Sequence, residues 1–460
     1  MKILLIAYYF PPDSSSGSFR PLFFANHLSA AGDEITVLTC RQEDFLTDQP
    51  VDQELIARLD RRVKMVRSAV YRPQESLLRL RDRLTGRSRV APASAQNPSA
   101  KSGNGAGWIH AAKDFITDLI ATPDQHAGWI ASCVRQGFAT ARDQRPDVII
   151  ATGNPWSGIV AGSLLKRLTG VPLALDFRDP WVANPGHIIG RGRFFMRVDT
   201  WLEQHVVANA DLLIANTEEL RHDFLCRYRN LSPERVVAIT NGFEDYLPDP
   251  PQRRNDALTL THAGALYFSR NPRPFLEAAR NAIERGRIDP MGIKLRFVGE
   301  IAIDNPTIAE LLASPSLANS IEVIPRVTYE ESLRYMGESD VLILYQPGFP
   351  LQVPRKLYDY MATRRPLLCI AEPGSATWSL VERYSLGTAC ENNVARLEAA
   401  LLTMYDEWQN GRLKPFIDDR CEPFRNHNLT VRLRNHLEQT IRTSTKNQGA
   451  PSLEMSKLKG

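Results

Sequence analysis

Short apolar runs recur along the whole chain, and the segments between them carry apolar residues at helical spacing. Runs of this length without polar interruption are typical of parallel strands that are buried on both faces of a sheet. Their alternation with helices predicts an α/β fold with doubly wound parallel sheets. The predicted strands include residues 2–10, 34–40, 147–152, 172–177, 211–217, 236–243, 258–264, 294–300, 321–327, 340–346 and 366–372.

The strand pattern starts twice, first at KILLIAYYF (2–10) and again at LTLTHAG (258–264). The proline- and charge-rich stretch DYLPDPPQRRND lies between the two halves and is typical of a linker. We therefore predict an amino-terminal Rossmann-like domain (1–245), a linker (246–256) and a second Rossmann-like domain (257–420). A helix over 421–443 is expected to return to the first domain. The low-complexity stretch 86–107 is predicted to be a mobile insert, and 444–460 a disordered tail.

Composition narrows the class of protein. The 460 residues are 43% hydrophobic and 23% charged, with a net charge of +4, which is ordinary for a soluble protein of two domains and gives no sign of nucleic-acid binding. The six cysteines are scattered, which favours a reducing compartment. The sequence shows neither a signal peptide nor an apolar run long enough to span a membrane. We expect a cytoplasmic protein.

The positive charge is concentrated in one stretch. Residues 61–89 contain ten arginines and lysines against Glu75 and Asp82, and Leu77, Leu80 and Leu84 would line one face of a helix. Such a segment suits the anionic inner face of a membrane, and a solvated basic helix is an equally good interpretation.

The stretch VPRKLYDYMATRRPLLCI (353–370) predicts an anion site at a helix start. Pro354 suits the first turn of a helix, and Lys356 and Asp359 lie three residues apart on one face. Free N–H groups and the helix dipole favour phosphate oxygens at this position, and Lys356 adds a full positive charge. Asp359 is better suited to sugar hydroxyls. A plain amphipathic helix after a strand remains the alternative for this segment alone.

Several motifs taken in order resemble one family. The chain is similar to the retaining glycosyltransferases of family 4, which have the GT-B fold of two facing Rossmann-like domains with a nucleotide-sugar between them. The resemblance covers nearly the whole chain. The motifs that carry it are YYFPPDSSSGS, DFRDPW, NTEEL, ITNGF, HAGALY and KLYDYMATRRPLL.

The resemblance implies a set of donor-binding residues. Gly17 and Ser18 would approach the donor diphosphate from the first domain. Gly264 would form the turn of the phosphate clamp in the second domain, where Arg270 replaces the usual lysine and Lys356 assists it in stabilising the departing diphosphate. Asp359 would bind the ribose hydroxyls, and Arg326 lies where the nucleobase usually rests. An exposed cation or a turn glycine with no ligand is the alternative interpretation of these positions.

The chain departs from the family pattern at two places. The first acid of the usual acidic pair should fall at Leu351 and is absent, and Asn154 follows a strand where many members have histidine. Asp179 of DFRDPW is the candidate for the acceptor hydroxyl or the donor sugar, and Asn154 is a further contact. Arg178 is expected either to pair with Asp176 or to be free for other contacts.

The sequence predicts no metal and no cofactor, since it has no DxD triplet, no zinc-spaced histidine pair and no GxxxxGK[ST] loop. We predict transfer of a sugar from a UDP- or GDP-sugar to a lipid-linked or polysaccharide acceptor of the cell envelope, and the resemblance implies that transfer retains the anomeric configuration. The protein would lie in the cytoplasm, with a peripheral position at the inner membrane face. A nucleotide-sugar epimerase or hydrolase of the same fold and a non-catalytic scaffold subunit are the alternatives.

Overall fold

The computed structural model describes residues 1–47, 49–72, 118–244, 255–267, 269–302, 305–416 and 418–449. The chain divides into two compact units. One is formed by Met1–Leu213 together with the chain from Leu437 onward, and the other by Ile214–His436. The division falls earlier in the chain than the predicted domain boundary at 245. The predicted linker lies almost wholly outside the described residues, as does the predicted insert 86–107, so both stay predictions.

Thirteen strands are present in the described residues, and they form two sheets. The first sheet has seven strands in the order β3-β2-β1-β4-β5-β6-β7, and the second has six in the order β10-β9-β8-β11-β12-β13. The strands are β1 Lys2–Ile6, β2 Glu34–Cys40, β3 Lys64–Ser68, β4 Val148–Gly153, β5 Leu173–Phe177, β6 Leu212–Ala215, β7 Val236–Ala238, β8 Leu258–Ala263, β9 Ile293–Val298, β10 Ile321–Ile324, β11 Val341–Tyr345, β12 Leu367–Ile370 and β13 Gly387–Cys390.

The helices connect parallel strands, as a doubly wound fold requires. In the described residues they are α1 Ser16–Ala30, α2 Glu54–Ala57, α3 Ile130–Gln144, α4 Trp156–Thr169, α5 Pro185–Ile188, α6 Arg193–Asn209, α7 Glu218–Arg227, α8 Arg273–Glu284, α9 Pro306–Leu312, α10 Tyr329–Gly337, α11 Arg355–Thr363, α12 Ala376–Arg383, α13 Val394–Gln409 and α14 Asn426–Gly449. α14 continues to Gly449, so residues 444–449 are helical rather than a disordered tail.

Each sheet runs outward in both directions from its first strand. β1 pairs in parallel with β2 on one side and with β4 on the other, and β8 does the same with β9 and β11. In both sheets the strand order therefore reverses beside the first strand. Folds of this kind bind ligands at such a position, at the carboxyl ends of the strands. The buried strands carry the core, as in β4 and β5, whose residues are all buried.

The basic stretch 61–89 is only partly described, and its first part differs from the expectation of a helix. Lys64–Ser68 forms β3, which pairs in parallel with β2. Arg67 donates to the carbonyls of Cys40 and Pro11 at 3.1 and 3.0 Å, so this side chain is bound within the fold. Four of the five residues of β3 are exposed or half-exposed at the edge of the sheet, and this explains why the strand carries no continuous apolar run. Residues 73–89 lie outside the described residues.

Two further structural findings concern the cysteines and the hydrophobicity of the helices. All six cysteines are free, five of them are buried and Cys226 is exposed. A search of the described helices finds none that is both long and apolar enough to cross a bilayer.

Candidate functional site

A glycine turn follows the first strand of the second sheet. Gly264 comes directly after β8 and has φ +140°, a conformation that side chains rarely allow. A Cβ atom at this position would lie 3.7 Å from Cε of Lys356 and 3.9 Å from Nε2 of His262. The turn therefore brings a bare backbone segment, an ammonium group and an imidazole together at the carboxyl end of β8.

A second glycine supports this turn from the neighbouring strand. Gly299 follows β9 with φ +128°, and a Cβ there would lie 2.6 Å from the carbonyl oxygen of Gly264. The N–H of Gly264 in turn donates to Val298 at 2.7 Å. Two backbones thus approach closely where only glycine fits, which fixes the direction of the Gly264 turn.

His262 is the residue of this group that sequence reasoning missed. Its Nδ1 donates to the carbonyl of Ile343 at 2.9 Å, whereas the buried Nε2 has no hydrogen-bond partner among the described residues. Burial, together with the positive charges of Lys356 and Arg270, lowers the pKa of His262 to about 4. At neutral pH the imidazole is therefore uncharged and presents a free acceptor at Nε2.

Arg270 is held by neutral groups. Its guanidinium stacks on the ring of Tyr267 at 4.8 Å and donates to the Tyr267 hydroxyl and to Oε1 of Gln346, both at 3.0 Å. Nε is buried without a partner, and in the described parts of the chain no carboxylate lies within salt-bridge distance of Arg270. The charge is positioned but not neutralised.

Lys356 occupies the first turn of α11 and is half-buried. Burial lowers the pKa of its ammonium from the usual value, and the carboxylate of Asp359 opposes that shift. Within the described ranges, no hydrogen bond or ion pair of Lys356 is found. Lys356 thus lies beside Gly264, and its charge and that of Arg270 both act on His262. These three residues, Gly264, Arg270 and Lys356, are the ones for which the resemblance implies a phosphate clamp.

Asp359 lies one turn further along α11 and is only 3% exposed. Oδ1 accepts from the Tyr329 hydroxyl at 2.8 Å and from Arg355 at 3.1 Å, whereas Oδ2 has no partner in the described structure. Tyr329 and Arg355 therefore orient the carboxylate and leave one oxygen for a further donor. This agrees with a role in binding hydroxyl groups, which remains a prediction.

Leu351 lies in a loop that is held by its backbone. Gly348 donates to Glu372 at 2.7 Å, and the hydroxyls of Ser269 and Thr377 donate to Pro347 and Gln352 at 2.6 and 2.8 Å. Glu372, which follows β12, thus places a carboxylate on the loop that lacks its expected acid. The motif comparison did not find it because it lies in a different segment of the chain.

Arg326 is exposed in the loop after β10. Among the described residues, no hydrogen bond or ion pair of its side chain is found. A contact of Arg326 with a base therefore stays a prediction.

In the first unit, Arg178 ties three loops together. Its guanidinium donates to the carbonyls of Gly17 and Asn154, and its backbone N–H donates to Gly153 at 2.9 Å. A Cβ on Gly17 would lie 2.9 Å from Nη1 of Arg178. Gly17 is thus required for the close approach of Arg178.

The ion pair expected between Arg178 and Asp176 is replaced by another. Arg20 of α1 donates to Asp176 through Nη2 at 2.8 Å and through Nε at 3.1 and 3.2 Å, and the Thr152 hydroxyl adds a bond at 2.8 Å. Both charged side chains are buried, at 4% and 0% exposed. Asp176 therefore forms a buried ion pair with Arg20. The DFRDPW motif could not predict this pair, because Arg20 lies 156 residues away in the sequence.

The remaining predicted residues of the first unit lie around the same loops. Asp179 is half-buried, and its carboxylate raises the pKa of Arg178 against the dominant lowering by burial. Asn154 is exposed after β4. Ser18 is fully buried, and its hydroxyl has no hydrogen-bond partner among the described residues. Arg178 thus connects Gly17 and Asn154 and adjoins Asp179.

A search of the described residues finds no group of three or more histidine, cysteine or acidic side chains placed to hold a metal ion. The charged groups that converge on Gly264 are cations. This arrangement suits the oxygens of an anionic ligand such as a diphosphate.

The two sheets together have the GT-B fold. The chain is similar to HepE from Anabaena, solved in complex with UDP, with a TM-score of 0.61, 14% identity and coverage of 95% of this chain and 100% of that one. It is also similar to sucrose-phosphate synthase from Thermosynechococcus elongatus, with a TM-score of 0.62, 14% identity and coverage of 96% and 100%. At this identity the likeness establishes the fold alone.

Residues 24–242 match the family model described as Glycosyl transferase 4-like domain. The chain is also 30% identical over 120 residues to an alpha-maltose-1-phosphate synthase from Mycolicibacterium smegmatis. That match covers 25% of this chain and 30% of the relative, so the chain spans about a third of the length of the curated relative it matches.

Proposed function

We propose that this protein is a retaining glycosyltransferase that moves a sugar from a UDP-sugar or a GDP-sugar to a lipid-linked or polysaccharide acceptor of the cell envelope. One observation carries the proposal most strongly. Lys356 and His262 lie beside the Gly264 turn, the charges of Lys356 and Arg270 both act on His262, and in the described structure neither cation is neutralised by a salt bridge. Uncompensated, partly buried charge costs free energy in the absence of a ligand, and an anionic diphosphate would remove that cost.

The donor end follows from this geometry. The diphosphate would lie against the Gly264 backbone, with Arg270 and Lys356 stabilising the charge that develops as the glycosidic bond breaks. Cations that are already positioned need no reorganisation during the reaction. The free oxygen of Asp359 would accept a ribose hydroxyl, and Arg326 would lie near the base.

The acceptor end is assigned to the first unit. Asp179 would accept a hydrogen bond from the acceptor hydroxyl or hold the donor sugar, and Asn154 would add a contact. Gly17 and Ser18 would approach the donor diphosphate. No strong protein base is required, because in front-face retaining transfer the leaving phosphate oxygen takes the acceptor proton.

The proposal includes transfer without a metal or a cofactor, in the cytoplasm or at its membrane face. The two cations near Gly264 would take the place of a divalent ion at the diphosphate. We expect transfer to persist in the presence of EDTA. Loss of transfer in EDTA that is restored by Mg²⁺ would contradict this part of the proposal.

Nucleotide binding is the first experiment. Calorimetry with UDP and with GDP should show that one of them binds, and that Lys356→Ala weakens its binding at least about tenfold, since one charged contact contributes about 1.5 kcal/mol or more. Lys294→Ala is the matched control, because Lys294 is a lysine of the same unit whose ammonium lies 4.0 Å from Glu322. If neither nucleotide binds, the scaffold alternative is favoured.

The reaction itself separates the enzyme classes. A panel of UDP- and GDP-sugars should be incubated with and without candidate lipid-linked acceptors, and the products identified by mass spectrometry and NMR. A transferase gives a new glycoside with the anomeric configuration of the donor. A changed nucleotide-sugar in the absence of acceptor would favour the epimerase alternative, and free sugar at a rate that acceptors do not change would favour a hydrolase.

A further inference from the structure

Large apolar side chains are exposed on the amino-terminal part of α6 and on the turn that precedes it. Ile189 is 62% exposed, Phe194 55% and Trp201 56%, and Ile188 is 40% exposed. Single exposed apolar residues are common on soluble proteins, but several of them in one short segment mark an interaction site.

Helix geometry places the exposed residues of α6 on one face. Phe194, Arg197 and Trp201 are three and seven residues apart, which aligns them along the helix, and all three are exposed. The opposite face carries Phe195 and Val206, which are buried in the unit. The exposed aromatics are therefore the outer side of an amphipathic helix rather than a misplaced part of its core.

A buried ion cluster joins this helix to a second segment. Asp199, which is fully buried, accepts from Arg191 at 2.7 and 3.1 Å and is 3.0 Å from Nε2 of His187. Arg191 also donates to the hydroxyl of Thr122 at 3.1 Å. Leu119, which is 55% exposed, precedes Thr122 by less than one helical turn and thus lies beside the same surface. We name Leu119, Ile188, Ile189, Phe194, Arg197 and Trp201 the α6 surface.

The exposed charged side chains of residues 185–209 are positive. Between residues 185 and 209 the acids are Asp199 and Glu203, and both are fully buried. Glu203 accepts from the N–H of Val182 at 3.0 Å. Arg193 and Arg197 are exposed. The α6 surface thus combines aromatic and aliphatic side chains with exposed arginines and has no exposed acid of its own helix.

We propose that the α6 surface docks on an anionic lipid bilayer. Exposed Phe and Trp side chains on an amphipathic helix enter the boundary between headgroups and acyl chains, and arginines beside them attract anionic headgroups. This deepens the proposed function by favouring a lipid-linked acceptor over a soluble one. It also assigns membrane contact to residues outside the basic stretch 61–89. Vesicle binding is measured without donor or acceptor, so its failure would leave the proposed transfer untouched.

The test is co-sedimentation of the full chain with phosphatidylcholine vesicles, with and without phosphatidylglycerol. We expect binding that requires phosphatidylglycerol and weakens with salt. Phe194→Ser/Trp201→Ser should lower the partition coefficient at least about tenfold, because each aromatic side chain loses apolar burial. Arg197→Gln should lower it about fivefold at low salt. Met291→Ser/Val323→Ser is the matched control, since these side chains are 68% and 49% exposed in the other unit.

Three results would overturn the proposal. The first is unchanged vesicle binding by Phe194→Ser/Trp201→Ser. The second is a dimer in light scattering that this double variant dissociates, because the α6 surface would then bind a second copy. The third is a clear loss of thermal stability in the double variant without vesicles, because the aromatics would then be covered by the chain itself. Loss of vesicle binding with unchanged mass and thermal stability supports the proposal.

Discussion

The carboxyl ends of the central strands differ in charge balance between the two sheets. In the first unit, Arg20 and Asp176 neutralise each other in a buried pair, and the Arg178 guanidinium donates to the carbonyls of Gly17 and Asn154. In the second unit, Arg270 and Lys356 have no salt bridge in the described structure, and buried atoms of His262 and Asp359 have no partner. The charged groups of the first edge are thus bound within the fold, although the buried Ser18 hydroxyl has no partner in the described structure, whereas the second edge has cations without a counter-charge. Polar groups that the fold leaves unsatisfied are where a ligand gains most.

The largest expected effect tests the satisfied edge. Arg20→Met should lower the free energy of unfolding by about 3–5 kcal/mol, because Asp176 is left buried without its counter-charge. Arg20→Met/Asp176→Leu should recover much of that loss, since replacing both partners removes the unpaired charge. Urea denaturation of the two variants measures the difference. If the single and double variants were equally unstable, the instability of Arg20→Met could not come from leaving the Asp176 charge uncompensated.

The next effect tests the unsatisfied edge. Arg270→Gln should lower kcat by about 10²–10³, as the loss of a preorganised transition-state contact does, with a melting temperature close to that of the wild type. Arg270→Lys keeps the charge and should retain activity within about tenfold, although it loses the stacking on Tyr267. Arg273→Gln is the control, because Arg273 is exposed and pairs with Glu277. Turnover at the wild-type rate in the Arg270→Gln variant would remove Arg270 from the site.

Acid should weaken the second unit through His262. The pKa of this histidine is about 4 in the folded protein, against an ordinary value of about 6.5 in the unfolded chain. The unfolded state therefore binds more protons between these values, and the free energy of unfolding falls as the pH drops from about 6.5 towards 4. At pH 5 the loss due to His262 is about 2 kcal/mol, and above about pH 6.5 it vanishes.

Urea denaturation at pH 7 and pH 5 measures this effect. His262→Asn should show a smaller loss of stability between the two pH values than the wild type. His222→Asn is the control, since His222 is exposed. The same pH dependence in His262→Asn and in the wild type would show that other groups cause it.

The smallest effect concerns packing in the first unit. A Cβ on Gly17 would lie 2.8 Å from Cδ2 of Tyr9 and 2.9 Å from Nη1 of Arg178. Gly17→Ala should therefore lower the free energy of unfolding by about 1–2 kcal/mol, despite the better helix propensity of alanine. Gly337→Ala, at a helix position where nothing lies within 4 Å, should be neutral or stabilising. Thermal denaturation of both variants gives the comparison, and a stable Gly17→Ala protein would contradict it.

The sequence predicted most of the fold because continuous apolar runs mark buried parallel strands. Predicted strands lie at β1, β2, β4 and β8. β3 and β13 were missed. Both are less completely buried, so neither carries an apolar run. Helix and strand patterns depend on neighbours in the chain, and this is why they could be predicted locally.

The candidate site could be predicted only where it follows local motifs. Gly264 and Lys356 were found because a strand end and a helix start lie next to them in the sequence. The sequence offered Arg178 as one possible partner of Asp176, whereas the structure pairs Asp176 with Arg20. His262 could not be found from a strand pattern, because its importance comes from an acceptor left free by contacts with Ile343. Contacts between distant segments require the tertiary structure.

The position of Arg178 has a consequence for how the first unit moves. Its guanidinium, which extends from the loop after β5, donates to the carbonyls of Gly17, which follows β1, and Asn154, which follows β4, so none of these three loops can swing away alone without breaking a charged hydrogen bond. The loops should therefore exchange their protected amide hydrogens at a common rate, as a single cooperative opening, even though more than a hundred residues separate them along the backbone.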